Sequence, residues 1–125
     1  MENQPDKSPI LIVDDDQGLL FSIRAALLSA GLPDPVLVSD SRQVSGLVRS
    51  HRFHLVLLDL IMPHLDGMEV LKQIKQESPI TECVIVTAMD DVGMAVQAMR
   101  LGAYDYLVKP LNLERTAIAI THALE

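Results

Sequence analysis

The segment Ile10-Leu11-Ile12-Val13-Asp14-Asp15-Asp16 decides the fold, because an unbroken aliphatic run leads directly into three carboxylates. Four aliphatic residues without polar alternation predict a strand that is buried on both faces, as in a parallel sheet. Similar runs recur at Val36–Val38, Leu55–Leu58, Val84–Val86 and Tyr106–Val108. The sequence therefore predicts five buried strands.

Apolar residues at helical spacing follow each of these runs and predict five helices. The clearest pattern is Leu20, Ile23 and Leu27, which Gly31 follows as a stop signal. Strands that alternate with helices predict a doubly wound (βα)5 fold, in which helices cover both faces of a parallel sheet. In the fourth helix, the spacing predicts one apolar face, made of Val92, Ala95, Val96 and Met99, with Met94, Ala98 and Leu101 off that face.

Length and composition predict one globular domain over residues 10–125, because the chain has 125 residues and 49% of them are hydrophobic. Residues 1–9 are polar, and we expect them to form a flexible lead-in. Ten basic and 17 acidic side chains give a net charge of −7, which argues against direct nucleic-acid binding by this domain. The single cysteine excludes an intramolecular disulfide, and no apolar run reaches the roughly 18 residues of a transmembrane helix. We therefore expect a cytoplasmic protein without a membrane span.

Polar residues follow the first, third, fourth and fifth predicted strands at the point where each strand ends. They are Asp14, Asp15 and Asp16, then Asp59, Thr87 and Lys109. Because the carboxyl ends of parallel strands meet at one edge of the sheet, we expect these side chains to converge there. Asp16 stands where a side chain that caps the following helix is expected.

Clustered carboxylates repel one another, by roughly 4 kcal/mol for two unit charges about 4 Å apart at an effective dielectric constant of about 20. A divalent cation offsets this repulsion, and a set of oxygen ligands suits Mg²⁺ or Mn²⁺. Such a site leaves one carboxylate free to attack a phosphoryl group. Thr87 and Lys109 are then placed to donate hydrogen bonds to the phosphoryl oxygens.

Four segments together resemble the receiver domain of two-component response regulators, over about Ile10 to Leu124. They are Val13-Asp14-Asp15-Asp16, the run from Asp59 to Gly67 that contains Met62-Pro63, Thr87-Ala88, and Lys109-Pro110. The resemblance implies a flavodoxin-like sheet with the strand order 2-1-3-4-5. It also implies that Asp59 is the phosphoacceptor, and that Asp14, Asp15, Asp59 and the backbone carbonyl of Ile61 hold Mg²⁺.

The same resemblance implies that Thr87 and Lys109 contact the phosphoryl group, and that Thr87 and Tyr106 act together as the switch. A cis peptide bond is expected between Lys109 and Pro110. The implied partner is a sensor histidine kinase. The domain is then a regulatory phosphoacceptor that assists its own phosphorylation and dephosphorylation, and not an enzyme acting on a separate substrate.

The string from Ala95 to Pro110 is similar to receivers of transcription regulators, especially sigma-54-dependent activators. This similarity implies an output domain beyond Glu125. Apolar residues outside the core stripes of the fourth and fifth helices, such as Ile118, indicate an interface. We therefore expect phosphorylation-dependent homodimerisation through the fourth helix, the fifth strand and the fifth helix.

Three alternatives remain at the level of the sequence. An aspartyl phosphatase of the haloacid dehalogenase type would use Asp14 as its nucleophile, but it would leave Asp59 without a purpose. A receiver without an output domain would signal by docking. A receiver that is never phosphorylated would serve only as a docking module, although the complete acidic set argues against this.

Overall fold

A computed structural model describes residues 8–125, apart from the side chain of Leu65. The predicted lead-in, residues 1–9, falls mostly on residues 1–7, which lie outside the described residues. The elements are β1 (Ile10–Val13), α1 (Gln17–Ser29), β2 (Val36–Val38), α2 (Val44–Ser50), β3 (Leu55–Leu58), β4 (Ile61–Met62), β5 (Leu65–Asp66), α3 (Gly67–Glu77), β6 (Glu82–Thr87), α4 (Val92–Arg100), β7 (Asp105–Val108) and α5 (Leu113–Leu124). A single 3-10 turn, Ser41–Gln43, leads into α2.

Five of these strands form a parallel sheet in the order β2-β1-β3-β6-β7. This is the predicted order 2-1-3-4-5, because β6 and β7 are the fourth and fifth strands of the sheet. The short strands β4 and β5 form a separate antiparallel pair that the sequence pattern did not predict. Two-residue strands are too short to show any periodicity, which explains the omission.

Side chains of the central strands alternate between two hydrophobic cores. Leu11 and Val13 of β1 face the core that α2, α3 and α4 cover. Ile10 and Ile12 face the core that α1 and α5 cover. Every side chain of β1 and β3 is buried, which confirms the prediction for these central strands, whereas the edge strands β2 and β7 are only partly buried because each has a neighbouring strand on one side alone.

The predicted apolar face of α4 does not face the core. Val92, Val96 and Met99 are 80%, 44% and 47% exposed, whereas Ala98 is fully buried. The residues predicted to lie off that face are the ones that contact the core, namely Met94, Ala98 and Leu101. Because both stripes of α4 are apolar, spacing alone could not decide which one faces the sheet. The small side chain of Ala98 is the one that lies fully buried at this contact.

Four helices begin with a side-chain cap close to the carboxyl edge of the sheet. Asp16 accepts a hydrogen bond from the backbone N–H of Leu19 at 3.1 Å, which confirms its predicted capping role. The caps of α3, α4 and α5 are Asp66, Asp91 and Asn112.

Within residues 8–125, no helix has the length and apolar character needed to cross a membrane.

Candidate functional site

The carboxyl edge of the sheet brings the predicted site residues together, at the ends of β1, β3, β6 and β7. Hydrogen bonding of the sheet continues one residue beyond the strands. The N–H of Asp59 donates to the carbonyl of Val13 at 3.1 Å, and the N–H of Lys109 donates to the carbonyl of Thr87 at 2.8 Å. The backbone positions of the phosphoacceptor candidate and of the lysine are therefore fixed by the sheet itself.

Three carboxylates form the acidic cluster of this edge: one oxygen each of Asp14, Asp15 and Asp59 lies within 4.8 Å of the others. Asp14 and Asp59 are buried, and Asp15 is exposed. Oxygen donors at this spacing fit Mg²⁺ or Mn²⁺, both of which prefer carboxylate and water ligands. The exposed Asp15 leaves the cluster open to solvent on one side.

Lys109 bridges the two buried carboxylates. Its Nζ lies 2.8 Å from Oδ2 of Asp14 and 2.9 Å from Oδ2 of Asp59. The remaining oxygens accept backbone hydrogen bonds, since Oδ1 of Asp14 accepts from the N–H of Asp16 at 2.9 Å and Oδ1 of Asp59 accepts from the N–H of Ile61 at 3.0 Å. All four oxygens of this pair therefore have a hydrogen-bond partner.

Burial and the opposite charge of the ion-pair partner act in opposite directions on the pKa values of Asp14 and Lys109. Burial raises the pKa of Asp14, and the hydrogen bonds from Lys109 and from the N–H of Asp16 offset this only in part. Burial acts to lower the pKa of Lys109, but the hydrogen bonds and negative charges of Asp14 and Asp59 outweigh it. The net pKa of Lys109 lies above its ordinary value, so its ammonium is positively charged at neutral pH.

The loop from Leu60 to Gly67 folds back on itself beside Asp59. The N–H of Gly67 donates to the carbonyl of Leu60 at 3.2 Å. A Cβ atom at Gly67 would lie 2.3 Å from the Cα of Leu60, so only glycine permits this approach. The turn between β4 and β5 contains His64 with a φ of 75°. Ile61, whose carbonyl is a predicted metal ligand, opens this loop two residues after Asp59.

A buried serine that sequence reasoning missed holds the tip of this loop. Ser41 is buried, and its hydroxyl donates to the carbonyl of Pro63 at 2.9 Å across 22 residues of sequence. Nothing in the local pattern distinguishes Ser41 from an ordinary helix-start serine. The contact depends on tertiary structure alone.

The two predicted switch residues meet at Met89. The N–H of Met89 donates to the buried hydroxyl of Thr87 at 3.4 Å, and the hydroxyl of Tyr106 donates to the carbonyl of Met89 at 2.6 Å. Burial raises the pKa of Tyr106, and the charges of Asp91 and Asp90 raise it further, so its hydroxyl keeps the proton it donates. Within residues 8–125, the Thr87 hydroxyl forms no hydrogen bond with the acidic cluster. The peptide bond before Pro110 is cis, as predicted.

Comparison with known proteins agrees with this geometry. A family model described as the response regulator receiver domain matches residues 10–121. The transcriptional regulatory protein ZraR of Escherichia coli (strain K12) is 40% identical over 126 residues, which cover 96% of this chain and 28% of that protein. The chain thus spans little more than a quarter of the length of this curated relative.

Two solved structures show the same architecture over nearly the whole chain. The solution structure of the beryllofluoride-activated NtrC4 receiver domain dimer superimposes with a TM-score of 0.85 at 32% identity, covering 92% of this chain and 94% of that one. A CheY-like receiver domain protein from Methanospirillum hungatei JF-1 also gives a TM-score of 0.85, at 27% identity, covering 92% of this chain and 91% of that one.

Proposed function

The chain belongs to the response regulator receiver domain family, and from this membership we propose that it is a phosphorylation switch with Asp59 as phosphoacceptor. The observation that carries the proposal is the position of Asp59. Its buried carboxylate directly follows β3, shares Lys109 with Asp14, and lies within 4.8 Å of the other two carboxylates. A phosphohistidine of a sensor kinase is the proposed donor.

The transfer is a displacement at phosphorus. A carboxylate oxygen of Asp59 forms the new P–O bond, and the imidazole nitrogen of the phosphohistidine leaves with the electron pair of the broken P–N bond. Asp14, Asp15, Asp59 and the backbone carbonyl of Ile61 would hold Mg²⁺, which supplies positive charge toward the phosphoryl oxygens when bound. Lys109 neutralises a further phosphoryl oxygen through its ammonium. Later hydrolysis returns the carboxylate and releases inorganic phosphate.

Phosphorylation is read out through Thr87 and Tyr106. The phosphoryl group adds roughly −1.5 to −2 charges and three acceptor oxygens, which gives the Thr87 hydroxyl a new partner. Met89 contacts both switch residues, so a movement of Thr87 is transmitted to the loop before α4 and to the ring of Tyr106. Only a difference in contacts between the two states can shift their populations, and the proposed new hydrogen bond between Thr87 and the phosphoryl group is such a difference.

We propose that the switched surface is formed by α4, β7 and α5 and that it mediates phosphorylation-dependent homodimerisation. Large apolar side chains are exposed across these elements and the turn between α4 and β7: Val92, Val96, Met99, Tyr104, Val108 and Ile118. Such a surface is typical of an interaction site. A similar receiver, that of NtrC4, is described as a dimer in its beryllofluoride-activated form. Since ZraR is named a transcriptional regulatory protein, we further propose a cytoplasmic transcription regulator with an output domain beyond Glu125.

Intact mass spectrometry after incubation with acetyl phosphate and Mg²⁺ tests the phosphoacceptor. We expect one phosphoryl adduct, which peptide mapping assigns to Asp59 and which is absent in Asp59→Asn and in the presence of EDTA. An adduct on Asp14 would instead indicate the phosphatase alternative. If no adduct forms and beryllofluoride does not bind, the domain is not a phosphorylation switch.

Light scattering with and without beryllofluoride tests the dimer. We expect a monomer that becomes a dimer on activation, and a Val96→Asp variant that stays monomeric. Ile80→Asp is the matched control, because Ile80 is equally apolar and 72% exposed but lies in the turn between α3 and β6. A wild-type domain that binds beryllofluoride and remains monomeric would favour signalling by docking.

A further inference from the structure

The loop from Leu60 to Gly67 orients the carboxylate of the phosphoacceptor candidate. The N–H of Ile61 donates to Oδ1 of Asp59 at 3.0 Å. Oδ2 of the same carboxylate then faces Lys109, whose Nζ lies 2.9 Å away. A shift of the loop backbone at Ile61 would release Oδ1 and let the carboxylate rotate.

The tip of this loop, residues 62–65, has little support of its own. β4 and β5 contain two residues each, and so short a hairpin is not stable by itself. Pro63 precedes His64, which has a φ of 75°. Proline at the first turn position and a positive φ at the second define a type II turn, whose second position favours glycine. The observed turn is therefore strained at His64, because the left-handed region disfavours side chains with a Cβ atom.

Ser41 supplies a contact that opposes this strain. Its hydroxyl donates to the carbonyl of Pro63 at 2.9 Å. Within residues 8–125, no other residue outside the loop forms a hydrogen bond with residues 62–65. Ser41 is only 3% exposed and begins the 3-10 turn before α2, so the donor is fixed by the fold. Release of His64 from the left-handed region turns the Pro63–His64 peptide over and carries the carbonyl away from Ser41.

We propose that Ser41 is a positioning residue for phosphoryl transfer: its hydrogen bond to Pro63 holds the strained loop so that the N–H of Ile61 keeps the Asp59 carboxylate in place. The proposal rests on the proposed function, because this orientation matters only if Asp59 accepts a phosphoryl group. Pro63 is exposed, so water replaces the hydroxyl as donor when Ser41 is substituted, and the domain remains folded. What changes is the position of the loop. Without the hydrogen bond, the left-handed backbone of His64 disfavours the observed loop by roughly tenfold.

The rate of Asp59 phosphorylation by acetyl phosphate at saturating Mg²⁺, followed by intact mass spectrometry, tests the proposal. We expect Ser41→Ala to react about tenfold more slowly than wild type. Ser50→Ala is the matched control, because the hydroxyl of Ser50 donates to the carbonyl of Gly46 at 2.7 Å within α2, and this variant should react at the wild-type rate. A folded Ser41→Ala protein that reacts as fast as wild type would overturn the positioning role.

Substitutions of His64 test whether strain is what Ser41 opposes. Ser41→Ala combined with His64→Gly should react at nearly the wild-type rate, because glycine adopts a positive φ without strain. His64→Val should react more slowly than wild type even with Ser41 in place, because a β-branched residue fits this region poorly. Since position 64 is exposed, His64→Val is expected to fold even if Ser41→Ala does not. A double variant as slow as Ser41→Ala, or a His64→Val protein as fast as wild type, contradicts the proposal.

Nuclear magnetic resonance of the unphosphorylated protein follows the same contact without the reaction. The amide proton resonance of Ile61 should move upfield in Ser41→Ala, because its hydrogen bond to Asp59 weakens, and should keep its wild-type position in Ser50→Ala. An unchanged Ile61 resonance in a folded Ser41→Ala protein overturns the inference and leaves the proposed function intact. If wild type itself takes up no phosphoryl group, the proposed function fails, and the positioning role fails with it.

Discussion

Replacement of Gly67 by alanine tests how closely the loop beside Asp59 is packed. The new Cβ would lie 2.3 Å from the Cα of Leu60 and 2.6 Å from its carbonyl oxygen. Ordinary contact begins at 3.4 Å, so the loop must open by about 1 Å. The hydrogen bond from the N–H of Gly67 to the carbonyl of Leu60, 3.2 Å long, is then lost or weakened.

The expected cost is the sum of overpacking and of this hydrogen bond. Overpacking costs about 1–3 kcal/mol, and one backbone hydrogen bond contributes about 1 kcal/mol. We therefore expect the free energy of unfolding of Gly67→Ala to fall by about 2–4 kcal/mol in urea denaturation. Because the displaced segment carries Ile61, the affinity for Mn²⁺ should fall as well.

Gly46→Ala is the matched control, because Gly46 lies in the exposed interior of α2 and a Cβ there meets nothing within 4 Å. Alanine is the better helix former, so this variant should be more stable than wild type by about 0.5–1 kcal/mol. The two glycine substitutions are thus expected to have opposite signs. A Gly67→Ala protein as stable as Gly46→Ala would refute the steric reasoning.

Three further predictions concern the core and the switch. Burial raises the pKa of Cys83 to about 12, so between pH 9 and 12 the unfolded chain releases the thiol proton while the folded chain retains it. The free energy of unfolding of wild type, relative to that of Cys83→Ala, should therefore fall with rising pH by up to about 1.4 kcal/mol per pH unit. Urea denaturation of both proteins at several pH values tests this. A difference between their urea midpoints that does not change with pH would contradict it. Tyr106→Phe removes the hydrogen bond to Met89 and should lower the free energy of unfolding by about 0.5–1.5 kcal/mol. It should also weaken beryllofluoride-induced dimerisation, while mass spectrometry still finds phosphorylated Asp59. If this variant dimerises as fully as wild type, the Tyr106 hydroxyl is not part of the switch. Ala98→Leu should destabilise the domain by about 1–3 kcal/mol in thermal unfolding, because Ala98 is fully buried, whereas Val92→Leu should be nearly neutral, because Val92 is exposed. A larger loss of stability in Val92→Leu than in Ala98→Leu would indicate that the face of α4 with Val92 packs against the core.

The sheet and the convergence of the site were predictable because each depends on a local rule. Continuous aliphatic runs indicate strands covered on both faces, and polar residues at the ends of parallel strands meet at one edge. These two rules predict from the sequence alone that Asp14, Asp59, Thr87 and Lys109 lie at one edge of the sheet. The capping role of Asp16 was predictable for the same reason, since a cap is defined within one turn of helix.

Features that depend on distant residues were not predictable in this way. The buried stripe of α4 is chosen by its fit against the sheet, and both of its stripes are apolar. The contact between Ser41 and Pro63 joins two loops that no periodicity connects. The sequence predicts that Lys109 lies near a phosphoryl group, but its bridge between two carboxylates is evident only in the three-dimensional structure.

The extension of sheet hydrogen bonding past the strands has a consequence for amide hydrogen exchange. The N–H of Asp59 donates to the carbonyl of Val13, so its exchange with solvent requires separation of the central strands β1 and β3, whereas exchange at the N–H of Lys109 requires only that the edge strand β7 separate from β6. The loop of residues 88–91 is joined to the sheet side chains through Met89, so it can exchange through local opening alone. The N–H of the phosphoacceptor candidate is therefore expected to exchange as slowly as the core, and the N–H groups of the loop that is proposed to report the signal are expected to exchange faster.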